Sequence, residues 1–168
     1  DCGPQLHEAM QMIEREGIRF NGTPGASYQD TSFVFQVWAS ARRAAILPKG
    51  YLHYRVDNAN SSVKSSAKVF AVCDEYELSR EFLAKDPEKQ RAFGAIVNLL
   101  KLGTYRWNFN RLTDESRRAF AERMREEYLR AREEGTLERG MFSPADWEML
   151  NLMMDDFDAF MALFESGM

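Results

Sequence analysis

The residues best suited to chemistry in this sequence begin with an acid at the start of a helix. Asp30 follows the loop NGTPGAS, in which Gly22, Pro24 and Gly25 bend the backbone, and it precedes the apolar run TSFVFQVW. Ser27 is placed to cap this helix, with Asp30 three positions on. The helix dipole stabilises a carboxylate there by roughly 0.3 to 1 kcal/mol, so Asp30 should stay ionised and able to accept a proton. The sequence leaves two interpretations open, a structural cap and a catalytic base.

A second group of polar residues follows in YLHYRV and in the loop DNANSSVKSS. If YLHYRV is extended, alternation places Tyr51, His53 and Arg55 on one face and the apolar residues on the other. An imidazole beside a guanidinium, followed by a loop that contains Asn58 and Ser62, would line a cleft for a hydroxylated or phosphorylated ligand. The alternative is an edge strand with a solvated polar face.

Helices and two short strands are predicted to position these residues. RRAAILP and YLHYRV are rich in strand formers and flank the turn PKG, which predicts two strands joined by a turn. One short helix should end at Gly17, and another should start near Asp30. Four further helices are expected over 67–85, 87–110, 113–135 and 143–165. The predicted fold class is therefore α+β and mostly helical, with residues 1–66 and 67–168 as its two parts.

The last predicted helix, 143–165, carries a broad apolar stripe. Its apolar residues recur at steps of three and four: Trp147, Leu150, Met154, Phe157, Met161 and Phe164, widened by Met149, Leu152, Met153 and Phe160. We expect this stripe to be buried in the core against the helices that begin near Ala67 and Pro87. The alternative is a surface that docks on a membrane or on a second subunit.

Composition and charge bound the class of protein. The chain has 168 residues, 45% of them hydrophobic, which suits one compact domain. Its formal net charge of -4 gives no basic surface for a phosphate backbone, so we expect no nucleic-acid partner. We expect neither a membrane span nor a signal peptide, and therefore a cytoplasmic location. The two cysteines, Cys2 and Cys73, indicate a reduced compartment. Because the sequence starts at Asp1 without a methionine, we also expect it to have been processed or taken from a longer polypeptide.

Two stretches of the sequence resemble the carboxyl half of bacterial family 2 glycosyltransferases, which build capsular and lipopolysaccharide sugars. They are GIRFNGTPGASYQDTSFVFQVW and, at close range, ILPKGYLHYRVDNANSSV. The resemblance covers about Glu14 to Glu77, and the helical remainder looks like the tail of a subset of that family. It implies a GT-A fold, in which an amino-terminal sheet binds a nucleotide-sugar and the following half brings the acceptor and the catalytic base.

The resemblance also implies roles for individual residues. In the family, an acidic pair at a helix start ends in the aspartate that takes the proton from the acceptor hydroxyl. Gln29 and Asp30 occupy that pair here, so Asp30 would be the base, while the glutamine lacks the charge of the usual glutamate. His53 and Arg55 would contact the donor phosphate or the acceptor, and Gln29, Asn58 and Ser62 complete the predicted substrate-binding set.

A divalent metal, Mn²⁺ or Mg²⁺, is expected in the full-length enzyme, where an aspartate pair holds it against the donor diphosphate. We find no such pair at the expected place in this chain. The stretch DDFD, from Asp155 to Asp158, has the right residue types but lies within the last predicted helix, so we reject it as a metal site.

The sequence thus predicts the acceptor-side portion of an inverting glycosyltransferase of polysaccharide or glycan biosynthesis. Its partners would be a nucleotide-sugar donor and a glycan or lipid-linked acceptor, with peripheral contact at the inner membrane or a homodimer as further options. The alternative is a non-enzymatic helical interaction or oligomerisation module, in which Asp30 only caps its helix and the last four helices bind a partner.

Overall fold

Every regular element in the described part of this computed structural model is helical. The structure describes residues 3–22, 28–45, 48–50, 52–53 and 68–165. The α-helices are α1 (Gly3–Arg15), α2 (Gln29–Ser40), α3 (Ala71–Ala84), α4 (Pro87–Phe109), α5 (Asp114–Glu133), α6 (Pro144–Asp155) and α7 (Phe157–Glu165), with a 3₁₀ turn at Arg139–Met141. None of these residues forms a strand, so the predicted α+β class, with two short strands of a GT-A fold, is wrong.

The two strand predictions are wrong because residues with strand propensity form a strand only when a sheet is available for pairing. The described parts of RRAAILP and YLHYRV are irregular, and their side chains are solvent-exposed, with Leu52 81% exposed. A pair of short strands is marginally stable in water unless a further strand or a helix covers its apolar face. The described residues of both segments are exposed and pair with no strand among the described residues.

Two helix starts follow directly from local sequence signals, as predicted. The Asp86 carboxylate accepts hydrogen bonds from the backbone amides of Glu88 at 2.9 Å and Lys89 at 3.2 Å, and Pro87 occupies the first turn of α4. At α6, the Ser143 hydroxyl accepts from the Asp146 amide at 3.1 Å. Such caps satisfy amide groups that have no partner within the helix.

The helix predicted over 143–165 is in fact two helices separated at Asp156. The backbone of Asp156 leaves the helical region, with φ -140° and ψ 78°, and its carboxylate accepts a hydrogen bond from the Ala159 amide at 3.1 Å. An aspartate that ends one helix can therefore cap the next. Apolar periodicity continues across this break, which is why the pattern suggested a single helix.

The core lies between α3, α4 and α5, with α2 packed on α3 and with α6 and α7 packed beside α5. Phe160 and Phe164 of α7 meet Phe109 of α4, with ring centroids 6.5 and 4.9 Å apart. Arg125 of α5 donates from Nε and Nη2 to the carbonyl oxygen of Met154 in α6, at 3.0 and 2.9 Å. The predicted burial of the carboxyl-terminal stripe is confirmed, and so is its packing on the helix that begins at Pro87, but its other main neighbour is α5 rather than the helix predicted near Ala67.

Within the described residues, no helix combines the length and the apolar character required to cross a membrane.

Candidate functional site

The start of α2 is held in place by the end of α4. Tyr28, which precedes α2, adopts a left-handed backbone with φ 62°. Its phenolic hydroxyl donates to Asn108 Oδ1 at 3.0 Å, and its ring meets the Trp107 ring edge-on with 6.2 Å between centroids. A left-handed backbone costs a non-glycine residue about 1 kcal/mol or more, which these contacts offset. The helix thereby begins at a defined point, with Gln29 as its first residue.

Asp30 is the second residue of α2, and its side chain is exposed. In the described part of the chain, no side chain caps this helix start, and the Asp30 carboxylate has no hydrogen bond or ion pair. Ser27, the predicted cap, lies outside the described residues, and the position before the helix belongs to Tyr28. The carboxylate therefore points to solvent at the positive end of the helix dipole, where it is available to a ligand.

Asp30 lies at one end of an open groove of about 430 Å³ that runs between α2 and α4. The other lining residues are Thr31, Val34, Phe35, Trp38 and Ala39 on α2, Tyr76 on α3, and Phe93, Ile96 and Leu100 on α4. Asp30, Val34 and Trp38 recur every four residues, so they follow one face of α2 over about 12 Å.

The walls of this groove are apolar and unusually exposed. Val34, Trp38 and Leu100 are 47%, 58% and 49% exposed. Binding sites for small molecules are typically apolar concavities with a few polar groups that orient the ligand. The groove fits that description, because one carboxylate lies at its end and an aromatic ring lies along its wall.

A buried carboxylate fixes α2 against α3. Glu75 is 1% exposed, and its Oε2 accepts a hydrogen bond from the Ser32 hydroxyl, which is itself fully buried. Its Oε1 accepts from Asn21 Nδ2 at 2.9 Å. The burial of Glu75 was not predicted, because charged residues are usually exposed. Its spacing was the available signal, since it lies three residues after Val72 and four before Ser79, on the buried face of α3.

Of the remaining predicted site residues, the structure describes Gln29 and His53. Gln29 adjoins Asp30 at the start of α2. His53 is exposed and irregular, and it does not line the groove that Asp30 borders. Arg55, Asn58 and Ser62 lie outside the described residues. The substrate contacts assigned to Gln29, His53, Arg55, Asn58 and Ser62 stay predictions.

A second polar cluster lies in the core between α4 and α5. Glu127, 4% exposed, accepts hydrogen bonds from the Tyr105 hydroxyl and from Arg123 Nε, each at 2.7 Å, and lies 3.5 Å from Lys101 Nζ. Burial lowers the pKa of Lys101, which the Glu127 carboxylate opposes. The adjoining cavity measures about 20 Å³, which is room for one water molecule. This cluster therefore has a structural role, because no substrate would fit beside it.

We expect Cys73, which faces this cluster, to resist modification. Burial raises the pKa of its thiol to about 12, with a smaller contribution from the Glu127 charge. Since the thiolate is the reactive form, a Cys2→Ser variant should react with a thiol reagent at pH 8 at least about 100-fold more slowly when folded than in urea. The folded-state rate should also rise about tenfold per pH unit between pH 7 and 9. Equal rates in both states would contradict this assignment.

The carboxylates of the acidic stretch from Asp155 to Asp158 form ion pairs and a helix cap. Asp155 pairs with Arg132 and Asp158 with Arg118, at 2.8 and 2.9 Å, while Asp156 caps α7. Among the residues that the structure describes, no three His, Cys, Asp or Glu side chains converge on a point where a metal ion would bind.

Comparison with protein-family profiles, with curated proteins and with solved structures found no match to this chain.

Proposed function

We propose that this chain provides the acceptor side of an inverting sugar transfer, from a nucleotide-sugar donor to a hydroxyl acceptor, with Asp30 as the general base. The observation that carries the proposal is the exposed Asp30 carboxylate at the end of an apolar groove. The sequence resemblance around Gln29 and Asp30 supports the same role. The groove would hold the part of the acceptor next to the reacting hydroxyl.

The chemistry needs a base because a sugar hydroxyl is a weak nucleophile near neutral pH. As the acceptor oxygen bonds to the anomeric carbon, its proton passes to the Asp30 carboxylate, and the bond from the anomeric carbon to the diphosphate oxygen breaks. A carboxylate about 3 Å from the hydroxyl is well placed for this transfer and contributes roughly 10²- to 10⁴-fold in rate. The nucleoside diphosphate leaves with the bonding electrons.

Donor binding is assigned to residues outside the groove. His53 and Arg55, with Asn58 and Ser62, stay the proposed contacts to donor phosphate or acceptor. The described residues offer no metal site, so we assign no step to a metal. Mn²⁺ or Mg²⁺ remains a proposed cofactor whose ligands lie outside this chain. We also propose a cytoplasmic location, with peripheral contact at the inner membrane where the acceptor is lipid-linked.

The alternative function is a non-enzymatic helical interaction module. The last helices are poor candidates for its docking face, because their main apolar residues are buried in the core and cannot contact a partner. These residues are Leu150, Met153, Met154, Phe160 and Met161. The exposed side chains of Val34, Trp38 and Leu100 would then be its docking face. The two functions differ over Asp30, since only the enzyme requires a charged carboxylate there.

Transfer to the groove-bound acceptor can be tested with two leucines of similar exposure. Leu100, 49% exposed, lines the groove, whereas Leu163, 60% exposed, lies on α7 and does not. In the full-length polypeptide, Leu100→Ala should raise the KM for the acceptor about three- to tenfold at unchanged kcat. The substitution removes an apolar contact that stabilises the bound acceptor and the transition state equally. Leu163→Ala should leave both constants unchanged. Equal effects of the two variants on the acceptor KM would argue against the groove as acceptor site.

A further inference from the structure

We propose that Glu75 is the positioning residue for Asp30, an inference that rests on the function proposed above. Glu75 does not touch the reacting atoms. It binds α2 through Ser32, two residues beyond Asp30, and it binds the chain before α2 through Asn21. One carboxylate therefore fixes both segments that flank the loop leading to the base.

The hydrogen bond to Ser32 sets the direction in which Asp30 projects. Successive residues of an α-helix are separated by about 100° around its axis, so Asp30 and Ser32 project about 200° apart. With Ser32 held against α3, Asp30 must project away from α3, as its exposure shows. A rotation of α2 that brought Asp30 toward the core would break the bond between Ser32 and Glu75.

Burial of the Ser32–Glu75 hydrogen bond restricts the position of α2. Ser32 is 0% exposed and Glu75 is 1% exposed, so water cannot replace either partner if the contact is broken. A buried polar group without a partner is strongly unfavourable, which leaves few alternative positions for α2. An anchor of this kind matters for catalysis, because a displacement of about 1 Å at a catalytic group can cost roughly 100-fold in rate.

The kinetic test uses Glu75→Leu in the full-length polypeptide, with Asp30→Asn as a second background. Glu75→Leu should lower kcat about 10- to 100-fold with donor KM nearly unchanged. If Glu75 acts through Asp30, the same substitution in the Asp30→Asn background should change kcat by less than about twofold, because effects on one catalytic unit are not additive. An equal loss in both backgrounds would overturn the proposal and indicate general destabilisation.

Three further variants keep this test decisive. Glu75→Gln retains an acceptor for Asn21 and an amide that can bind the Ser32 hydroxyl, so it should restore kcat to within about threefold of the original. Ser79→Ala is the matched control, because it removes a buried hydroxyl of α3 that donates only to the Glu75 carbonyl, at 3.1 Å. It should leave kcat unchanged. Should Glu75→Leu fail to fold, Ser32→Ala removes the same link with little change in volume and should lower kcat about tenfold.

Amide hydrogen exchange on this chain separates the anchor from the proposed function. In Glu75→Leu, amides of α2 should exchange at least about tenfold faster, while those of α5 are unaffected and Ser79→Ala changes neither. Unchanged exchange in α2 would overturn the positioning role, whatever the kinetics show. Faster exchange in α2 together with full transfer by Asp30→Asn would overturn the proposed function instead, leaving Glu75 as an anchor of α2 alone.

Discussion

Replacing Asp30 by asparagine is expected to lower the rate of sugar transfer by about 10²- to 10⁴-fold, the contribution of a general base. The amide has nearly the same shape as the carboxylate but cannot take the acceptor proton. In the full-length polypeptide, kcat should fall while the affinity for the nucleotide-sugar, measured by calorimetry, stays within about twofold. Folding should be unaffected, because the Asp30 side chain is exposed and has no hydrogen bond or ion pair among the described residues.

Asp74→Asn is the matched control for this measurement. Asp74 is also an exposed acid in the first turn of a helix, α3, but it does not line the groove. If activity depended only on a negative charge at a helix start, both variants would lose activity equally. If Asp30 is the base, only Asp30→Asn should be inactive. Transfer by Asp30→Asn above about a tenth of the original rate would remove Asp30 as the base.

The helices were predictable where their signals are local. Asp86 with Pro87, and Ser143 with Pro144, satisfy free amide groups within a few residues of their own position, so the sequence alone locates those starts. The break at Asp156 was not predicted, because the apolar repeat runs through it and a cap within a run of acids resembles a solvated helix face. Sequence patterns report which face is apolar more reliably than where the backbone turns.

The strands illustrate the opposite case. Strand propensity in RRAAILP is real, but a strand is stable only when a neighbouring strand completes its hydrogen bonds, and no neighbour is present among the described residues. The resemblance to family 2 glycosyltransferases predicted such a neighbouring strand, because it implied a GT-A fold with a sheet. The described residues instead form a helical assembly.

The candidate site was predictable only in part for the same reason. The position of Asp30 at a helix start was predicted from the residues that flank it, and its role as a site residue stays a prediction. The groove beside it was not predicted, because Trp38 and Leu100 are about 60 positions apart in the sequence and line one groove only in the folded chain. Glu75 was missed because its partners, Asn21 and Ser32, are also distant in sequence. Contacts of this range are not encoded in any single segment.

The carboxyl-terminal helices should prove essential for folding. Leu150 of α6 is fully buried, whereas Leu163 of α7 is 60% exposed, so the two leucines form a matched pair. Leu150→Ala should lower the free energy of unfolding by about 2 to 5 kcal/mol, because it removes apolar contacts and leaves a cavity. Leu163→Ala should change it by less than about 0.5 kcal/mol. Urea unfolding followed by circular dichroism measures both.

Removing all residues after Gly140 extends this test from one side chain to both carboxyl-terminal helices, α6 and α7. The truncation would expose Phe109, which Phe160 and Phe164 of α7 help to bury, and we expect soluble, cooperatively unfolding protein to be lost. A membrane or dimer surface makes the opposite prediction, a well-folded truncated protein that no longer sediments with vesicles or self-associates. Asp155, Asp156 and Asp158 favour the core role, because anionic lipid would repel them. A folded truncation that retains the cooperative transition would therefore refute the core role, and Leu150→Ala with unchanged stability would refute it independently.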